Sequence, residues 1–437
     1  MRFLIAALCT AVFATIASAE NIYINNVTVL SMDGETVHAK ATVVVSGNRI
    51  LSVGDPKDAV VFRHLDHQID GTGKYLIPGL AEMHGHLPAS GWDKDRTEET
   101  LFLYLAGGVT TVRGMLGGPV QFELREKIKA GQIAGPTLYL AAPSLNGRSV
   151  SSPEEGEQKL RLYASQGWDL QKIHPGLSLP EYDAIAHAAN ELGFPFGGHV
   201  PADVGIERAL EAGQISIDHM DGYLEWLGGY TKELTEEDFA RAVAITKASG
   251  TWIVPTQELF NTFYSHGDGY PVLTDEQVKA LLARPENAYV ARAMLARWEQ
   301  TARSATPNPV ASQNRQRLLK AFADGGVNLA LGSDAPQTFS VPGFSIWREI
   351  EVMVEAGLTP AQILEMATAA PGRYFKDKDT FGTVTVGARA DLILLDANPR
   401  EDAMNLTKQA GVVAAGHWYS REAIDARLSE IAARHAN

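Results

Sequence analysis

Cysteine is almost absent: the single residue, Cys9, lies within the first nineteen positions, and a chain cut after them would hold no thiol. Disulfides and cysteine metal sites are thereby excluded, so any metal must be held by nitrogen and oxygen ligands. Positive charge is also scarce. Thirty-eight Lys and Arg face 52 Asp and Glu, a net charge of -14 without a basic patch, which argues against nucleic acid or an anionic membrane surface as partner. No apolar run reaches the roughly 20 residues of a membrane-spanning helix. No Gly-rich dinucleotide fingerprint follows an early strand.

What is present begins with a leader. Arg2, the apolar Phe3 to Ile16 and the small residues Ala17-Ser18-Ala19 read as a signal peptide over residues 1–19. Export to the periplasm or medium is expected, with no membrane attachment once the leader is removed. From Asn21 to about Tyr75, short alternating runs are broken by Asp33-Gly34, Gly47-Asn48 and Gly54-Asp55, the pattern of antiparallel strands and tight turns. The same texture returns at FGTVTVGARADLILLD and GVVAAGHWY. Both ends are therefore expected to build one small composite β-sandwich, residues 20–75 with 376–437.

Between them, over residues 76–375, apolar runs alternate with helical stretches. Eight such runs end near His86, Arg113, Ala141, His174, His199, His219, Thr256 and Asp334. Eight βα units close naturally into a (β/α)8 TIM barrel of the α/β class. An open doubly wound sheet is the rival, but polar residues gather at the carboxyl ends of many runs, which in a barrel all meet at one mouth. The connection over residues 257–328 is long and helical in period, either a lid over that mouth or an insertion packed on the barrel wall.

The stretch Leu80 to Leu87, LAEMHGHL, carries His84 and His86 on one face of a strand, a geometry suited to two ligands on one metal. A hydrogen-bonded core pair has the same spacing. Lys172, His199, His219 and Asp334 stand at four further strand ends. Each alone is open to a capping, packing or solvated role; together they form a set of nitrogen and oxygen ligands.

The segments GLAEMHGH, DLQKIH, GGHVP, SIDHMDGY and LGSDAP resemble the amidohydrolase superfamily. AGGVTTVR, GFSIWREIEVMVEAGLTPAQIL and FGTVTVGARADLILLD resemble its imidazolonepropionase-related and prolidase-like (Xaa-Pro dipeptidase-type) members. The resemblance implies a centre of two divalent metal ions, zinc being the usual occupant. His84, His86 and Asp334 would hold one ion, His199 and His219 the other, and Lys172, carboxylated by CO2, would bridge them. Only the carbamate could do so, because an ammonium has no lone pair. Such a pair would supply an activated water and polarise the scissile carbonyl, with Asp334 as the general base and acid that passes a proton to the leaving nitrogen.

The implied activity is hydrolysis of a C–N amide bond in a small molecule, a dipeptide or N-acyl amino acid, aryl amides of amino acids included. A lactonase, esterase or cyclic-amide hydrolase could use the same site, and a catalytically inactive periplasmic binding protein is the alternative from another class. Homo-oligomerisation is left open. Arg113, Arg148, His174, Tyr223, Trp226 and Gln257 are candidate substrate contacts: the arginines for a carboxylate, His174 for substrate or an oxyanion, Tyr223 for the carbonyl oxygen. Structural salt bridges, strand-end hydrogen bonds and core packing are the competing roles. Val112-Arg113-Gly114 departs from the VRD of prolidase-like relatives, and Val200-Pro201-Ala202-Asp203 lacks their tyrosine after the fifth-strand histidine. Proline-dipeptide specificity is therefore not carried over.

Overall fold

The computed structural model describes residues 20–34, 36–262 and 272–436; the expected leader, residues 1–19, lies outside them. Sixteen strands run in chain order: β1 Asn21–Leu30, β2 Val37–Ser46, β3 Arg49–Gly54, β4 His67–Asp70, β5 Tyr75–Pro78, β6 Leu80–Gly85, β7 Val109–Gly114, β8 Thr137–Leu140, β9 Gln171–Ile173, β10 Phe196–Gly198, β11 Ser216–Asp218, β12 Trp252–Val254, β13 Asn328–Leu329, β14 Leu392–Leu395, β15 Gln409–Ala414 and β16 His417–Ser420. No helix among the described residues is long and apolar enough to cross a membrane.

The two chain ends meet as expected, but in one sheet. Its order is β16-β15-β14-β5-β1-β2-β3, with β4 also paired to β1. The hydrogen-bonded path is continuous because β5 pairs β1 on one side and β14 on the other. Alternate residues of β1, Ile22 and Ile24, point into its core with Val43, Val45, Leu392 and Val413. The change to the second set of strands falls at Gly79, between β5 and β6.

Strands β6 to β13 are all parallel and form two arcs, β6-β7-β8 and β13-β12-β11-β10-β9. Backbone hydrogen bonds cross both gaps. Ala142 and Leu145 donate to the carbonyls of Leu170 and Lys172 beside β8 and β9, and Met83 and Asp334 exchange bonds with Leu331 and His84 beside β6. The arrangement is TIM-barrel-like. Strands buried on both faces are expected here, and β6 and β7 are buried throughout. Helices on the outside start at side-chain caps, such as Thr235 accepting from Asp238 and Thr359 from Gln362. Buried Arg389 ties the two parts together, donating to Asp391 and Asp379 on its own segment and to the Thr111 hydroxyl on β7.

The long connection packs on the wall. Val278, Leu281, Trp298 and Ala302 from the helices Asp275–Leu282 and Arg292–Ser304 share an apolar cluster with Phe102 and with Ile424 and Leu428 of the last helix. Of the two expected readings, packing is the one its described residues display; residues 263–271 lie outside them.

Candidate metal centre

Every strand end proposed to carry a ligand delivers its side chain to one cluster, buried at His84, Lys172, His219 and Asp334 and half-buried at His86 and His199. On β6, Glu82 and His84 are two apart and so share a face that His86, just beyond the strand, continues. Nε2 of His86 lies 2.6 Å from Oδ1 of Asp334, and that oxygen lies 3.6 Å from Nε2 of His84. Nζ of Lys172 is 3.3 Å from Nε2 of His84. The His219 ring sits 4.5 Å from both the His84 and His199 rings. Ligand atoms of His84, His219 and Asp334 lie within 4.8 Å of one another, which places His219 beside the first expected ligand group as well as beside His199.

The backbone is bent to aim these groups. His219 and Asp334 have φ of 64° and 63°, and Thr256 has φ of 45°, a region costly for residues with a Cβ and found where surrounding contacts enforce it. Two glycines make room. A Cβ on Gly198, at φ +126°, would fall 2.8 Å from Cδ of Lys172, and one on Gly332 would fall 2.9 Å from the amide nitrogen of His84.

Two of the imidazoles are hydrogen-bonded through Nδ1, those of His199 and His219. His199 meets Oδ2 of Asp221 at 2.7 Å, His219 meets Oγ1 of Thr256 at 2.8 Å, and His84 lies 2.9 Å from Oδ2 of Asp218, off the line of a good hydrogen bond. Nε2 of His219 is buried with no hydrogen-bond partner among the described residues. A buried lone pair without a donor is costly, and anchoring one nitrogen while leaving the other free is the pattern of a metal ligand. The donor set therefore fits a divalent cation.

Charge and burial agree with this. Burial, with Lys172 adding to it, pushes His84 down to about 4, and burial with the four cationic or imidazole neighbours His199, His84, Lys172 and Arg315 pushes His219 down as well, which favours the neutral imidazole in both. Burial alone would raise Asp334, but His84, the hydrogen bond to His86 and Lys172 together hold it at about 2. Burial lowers Lys172 against the pull of Asp218 and Asp334. It raises Glu82 to about 8, even though that carboxyl accepts from the amides of His84 and Ser333 and from the Ser333 hydroxyl.

The candidate substrate contacts divide. Arg113 is fully buried and donates to Met83 O, Ser216, Tyr374 and, at 2.8 Å, Oδ1 of Asp218; it serves the interior of the strand ring instead of a substrate carboxylate. Tyr223 is equally buried, its hydroxyl on Thr246 and its ring edge-on to Phe322, so the packing role is the one observed. Gln257 is buried and accepts from Arg315. His174 lies with its ring 4.8 Å from that of His199 and is pushed down to about 2, chiefly by burial. Trp226 lines a cavity of 530 Å³ beside His199. Arg148 is exposed on the loop after β8, its amide bonded to Asn146.

Several residues were not anticipated: Glu82, Asp218, Asp221 and Arg315. Glu82 and Asp218 carried a signal, since Glu82 is two before His84 and Asp218 alternates with Ser216 on the inward face of β11. Arg315 carried none. It is buried in the helix Pro309–Gly325, where it donates to the carbonyls of His219 and Pro255.

A family model described as the amidohydrolase family matches residues 75–418. The chain belongs to the amidohydrolase family. Among individual relatives, this amidohydrolase is 26% identical over 405 residues to the imidazolonepropionase of Streptomyces coelicolor, covering 86% of the chain and 90% of that protein. It is 23% identical over 405 residues, 86% of the chain and 85% of the relative, to a 5-methylthioadenosine/S-adenosylhomocysteine deaminase of Caldanaerobacter subterraneus subsp. tengcongensis. Its fold is also that of the bottromycin amidohydrolase, with a TM-score of 0.73 at 20% identity over 95% of the chain and 90% of the other. The amidohydrolase matches a Xaa-Pro dipeptidase structure with a TM-score of 0.65 at 22% identity, over 92% and 100% of the two chains. It is a metal-dependent hydrolase of C–N bonds, and the family's use of divalent metals accords with the His84, His219 and Asp334 cluster.

Proposed function

We propose that this amidohydrolase is an exported enzyme that hydrolyses the amide bond of a dipeptide or N-acyl amino acid at a binuclear centre in a (β/α)8 barrel. The observation that carries the reading is Lys172: fully buried, beside His84 and Asp218, and surrounded by the other candidate ligands. His84, His86 and Asp334 would hold one ion and His199 and His219 the other. Lys172 would bridge them as its carbamate, formed when the neutral amine adds to CO2 and loses a proton. Burial favours that neutral amine. Two divalent ions, zinc in the first instance, supply Lewis acidity and a water made acidic enough to attack near neutral pH.

The chain's own residues do the rest. Asp334, ionised above about 2, takes a proton and turns it over to the leaving nitrogen. Asp218, held well below the usual range because Arg113, His84 and Lys172 outweigh the burial that would raise it, keeps His84 oriented and balances the buried cations. Arg148 is the surviving receiver for a substrate carboxylate, since Arg113 is sealed inside.

The test is metal analysis of the purified protein beside a screen of dipeptides and N-acyl amino acids. Near two metals per chain, loss of turnover on chelation, and loss in Lys172→Ala with partial rescue by short carboxylates are expected. Full activity of Lys172→Ala without added carboxylate, or after stringent chelation, would sink the proposal. Export is tested by sequencing the amino terminus of the periplasmic or secreted protein, expected to begin at Glu20.

A further inference from the structure

The cavity beside His199 has a one-sided charge. Its walls are apolar or aromatic at Val200, Ile206, Trp226, Tyr230 and Phe260, and its ionisable side chains other than His199 are Glu207, Asp221 and Glu225, with no lysine or arginine among the described lining residues. Asp221 is engaged with His199. Among the described residues Glu225 accepts from the Tyr230 hydroxyl at 3.3 Å, and neither it nor Glu207 has an ion pair. Both glutamates are exposed at the edge of the cavity. Two arginines stand behind the walls: Arg315 gives its N–H groups to His219, Pro255 and Gln257 behind the Phe260 ring and reaches Asp221 and Glu225 only through space, and Arg241 lies over Trp226 beside Asp238. The cavity borders the ligand cluster through His199 and Phe260, whose rings lie 4.5 Å and 5.7 Å from that of His219 with its unpartnered Nε2.

We infer that this cavity is a subsite for a positively charged, apolar-stemmed group of the substrate, an ammonium or guanidinium placed against Glu207 and Glu225. Two rim carboxylates without an ion pair among the described residues, only one of them, Glu225, within the field of Arg315, attract a cation and repel an anion, and the aromatic faces add cation–π attraction while covering the apolar stem. A substrate carboxylate is turned away from this side. The inference rests on the hydrolase reading only in taking the cavity for a substrate pocket; it narrows the amide substrates to those with a basic or amino-bearing group on the side that enters it.

The test needs no turnover. Calorimetric titration of the purified full chain with 2-phenylethylamine and with 2-phenylethanol compares a cation with a neutral molecule of the same shape, neither bearing a carboxylate that a metal would capture. The amine is expected to bind at least about fivefold more tightly, as two screened rim charges allow, and to lose that advantage at high salt. In E207Q/E225Q the two affinities become equal, while unchanged 2-phenylethanol binding shows that the cavity is intact. Equal binding in the natural protein, a preference that survives E207Q/E225Q, or no binding of either probe at millimolar concentration would overturn the subsite. A cation preference in a protein that hydrolyses no amide would leave the subsite standing and remove the hydrolase reading; turnover without that preference would do the reverse.

Discussion

Asp218→Asn is the most informative single change in this molecule. It keeps the shape of the side chain and removes one negative charge from a place with no solvent: Asp218, Arg113 and Lys172 are all 0% exposed. Oδ1 holds Arg113 at 2.8 Å, and Oδ2 lies 2.9 Å from Nδ1 of His84 and 3.7 Å from Nζ of Lys172. At a separation near 3 Å and an effective dielectric of about 20, the Arg113 pair alone corresponds to roughly 5 kcal/mol. Removing one member of a buried pair typically costs about 3–5 kcal/mol, because the other is left charged without a counterion. A loss of about 3 kcal/mol or more is therefore expected in urea unfolding of the chelated protein, where metal release cannot contribute. Metal affinity, measured separately, is expected to fall about 10- to 100-fold as His84 loses its orienting partner. Replacing both partners by apolar residues, Arg113→Met with Asp218→Leu, should restore most of the stability but not the metal. If Asp218→Asn unfolds within about 0.5 kcal/mol of the natural chain and keeps its metal, the electrostatic account of the centre is wrong.

Tyr223→Phe removes only a buried hydroxyl contact with Thr246, so it should cost about 1 kcal/mol and leave turnover unchanged; a large fall in kcat would return Tyr223 to the active site. Gly198→Ala forces a Cβ into a left-handed position 2.5 Å from the carbonyl oxygen of Ile173 and against Lys172. Reduced metal content is expected even where the protein still folds, and normal metal content would contradict the role given to that glycine. Glu349, raised to about 8 by burial despite accepting from the amides of Gln257 and Glu258, binds its proton more tightly folded than unfolded. Its contribution is full below the ordinary carboxylate pKa and is lost as pH rises through about 8. Glu349→Gln should therefore flatten the fall in melting temperature on the alkaline side, and an unaltered slope would show that Glu349 is already ionised in the folded chain.

The cluster of candidate ligands was legible because metal chemistry demands particular residue types at strand ends, and period-two alternation on β6 put Glu82, His84 and His86 on one face. Seven of the eight run ends predicted from hydrophobic patterning fall within two residues of the observed strand ends. The exception is the last: β13 stops at Leu329, and Asp334 lies on an extension bonded to β6. The composite of chain ends was legible as texture, but its pairing was not. Alternation says that a strand has two faces and leaves open whether β5 joins β1 and β14 into one path or closes a second sheet.

The arginines and Tyr223 mark the limit most clearly. A side chain at a strand end reads alike whether it points into the ring, as Arg113 does toward Asp218, or out to solvent, as Arg148 does. Tyr223 reads alike whether its hydroxyl meets a substrate or Thr246. Local sequence by itself determined which residue types stand at the ends of which apolar runs, and hence the nitrogen and oxygen character of the centre. Only the tertiary structure decided which of them share a neighbourhood, because that depends on contacts between residues hundreds of positions apart. The carboxylate beneath His84, the arginine clamping the His219 carbonyl and the glutamates at the edge of the cavity beside His199 are all products of that packing.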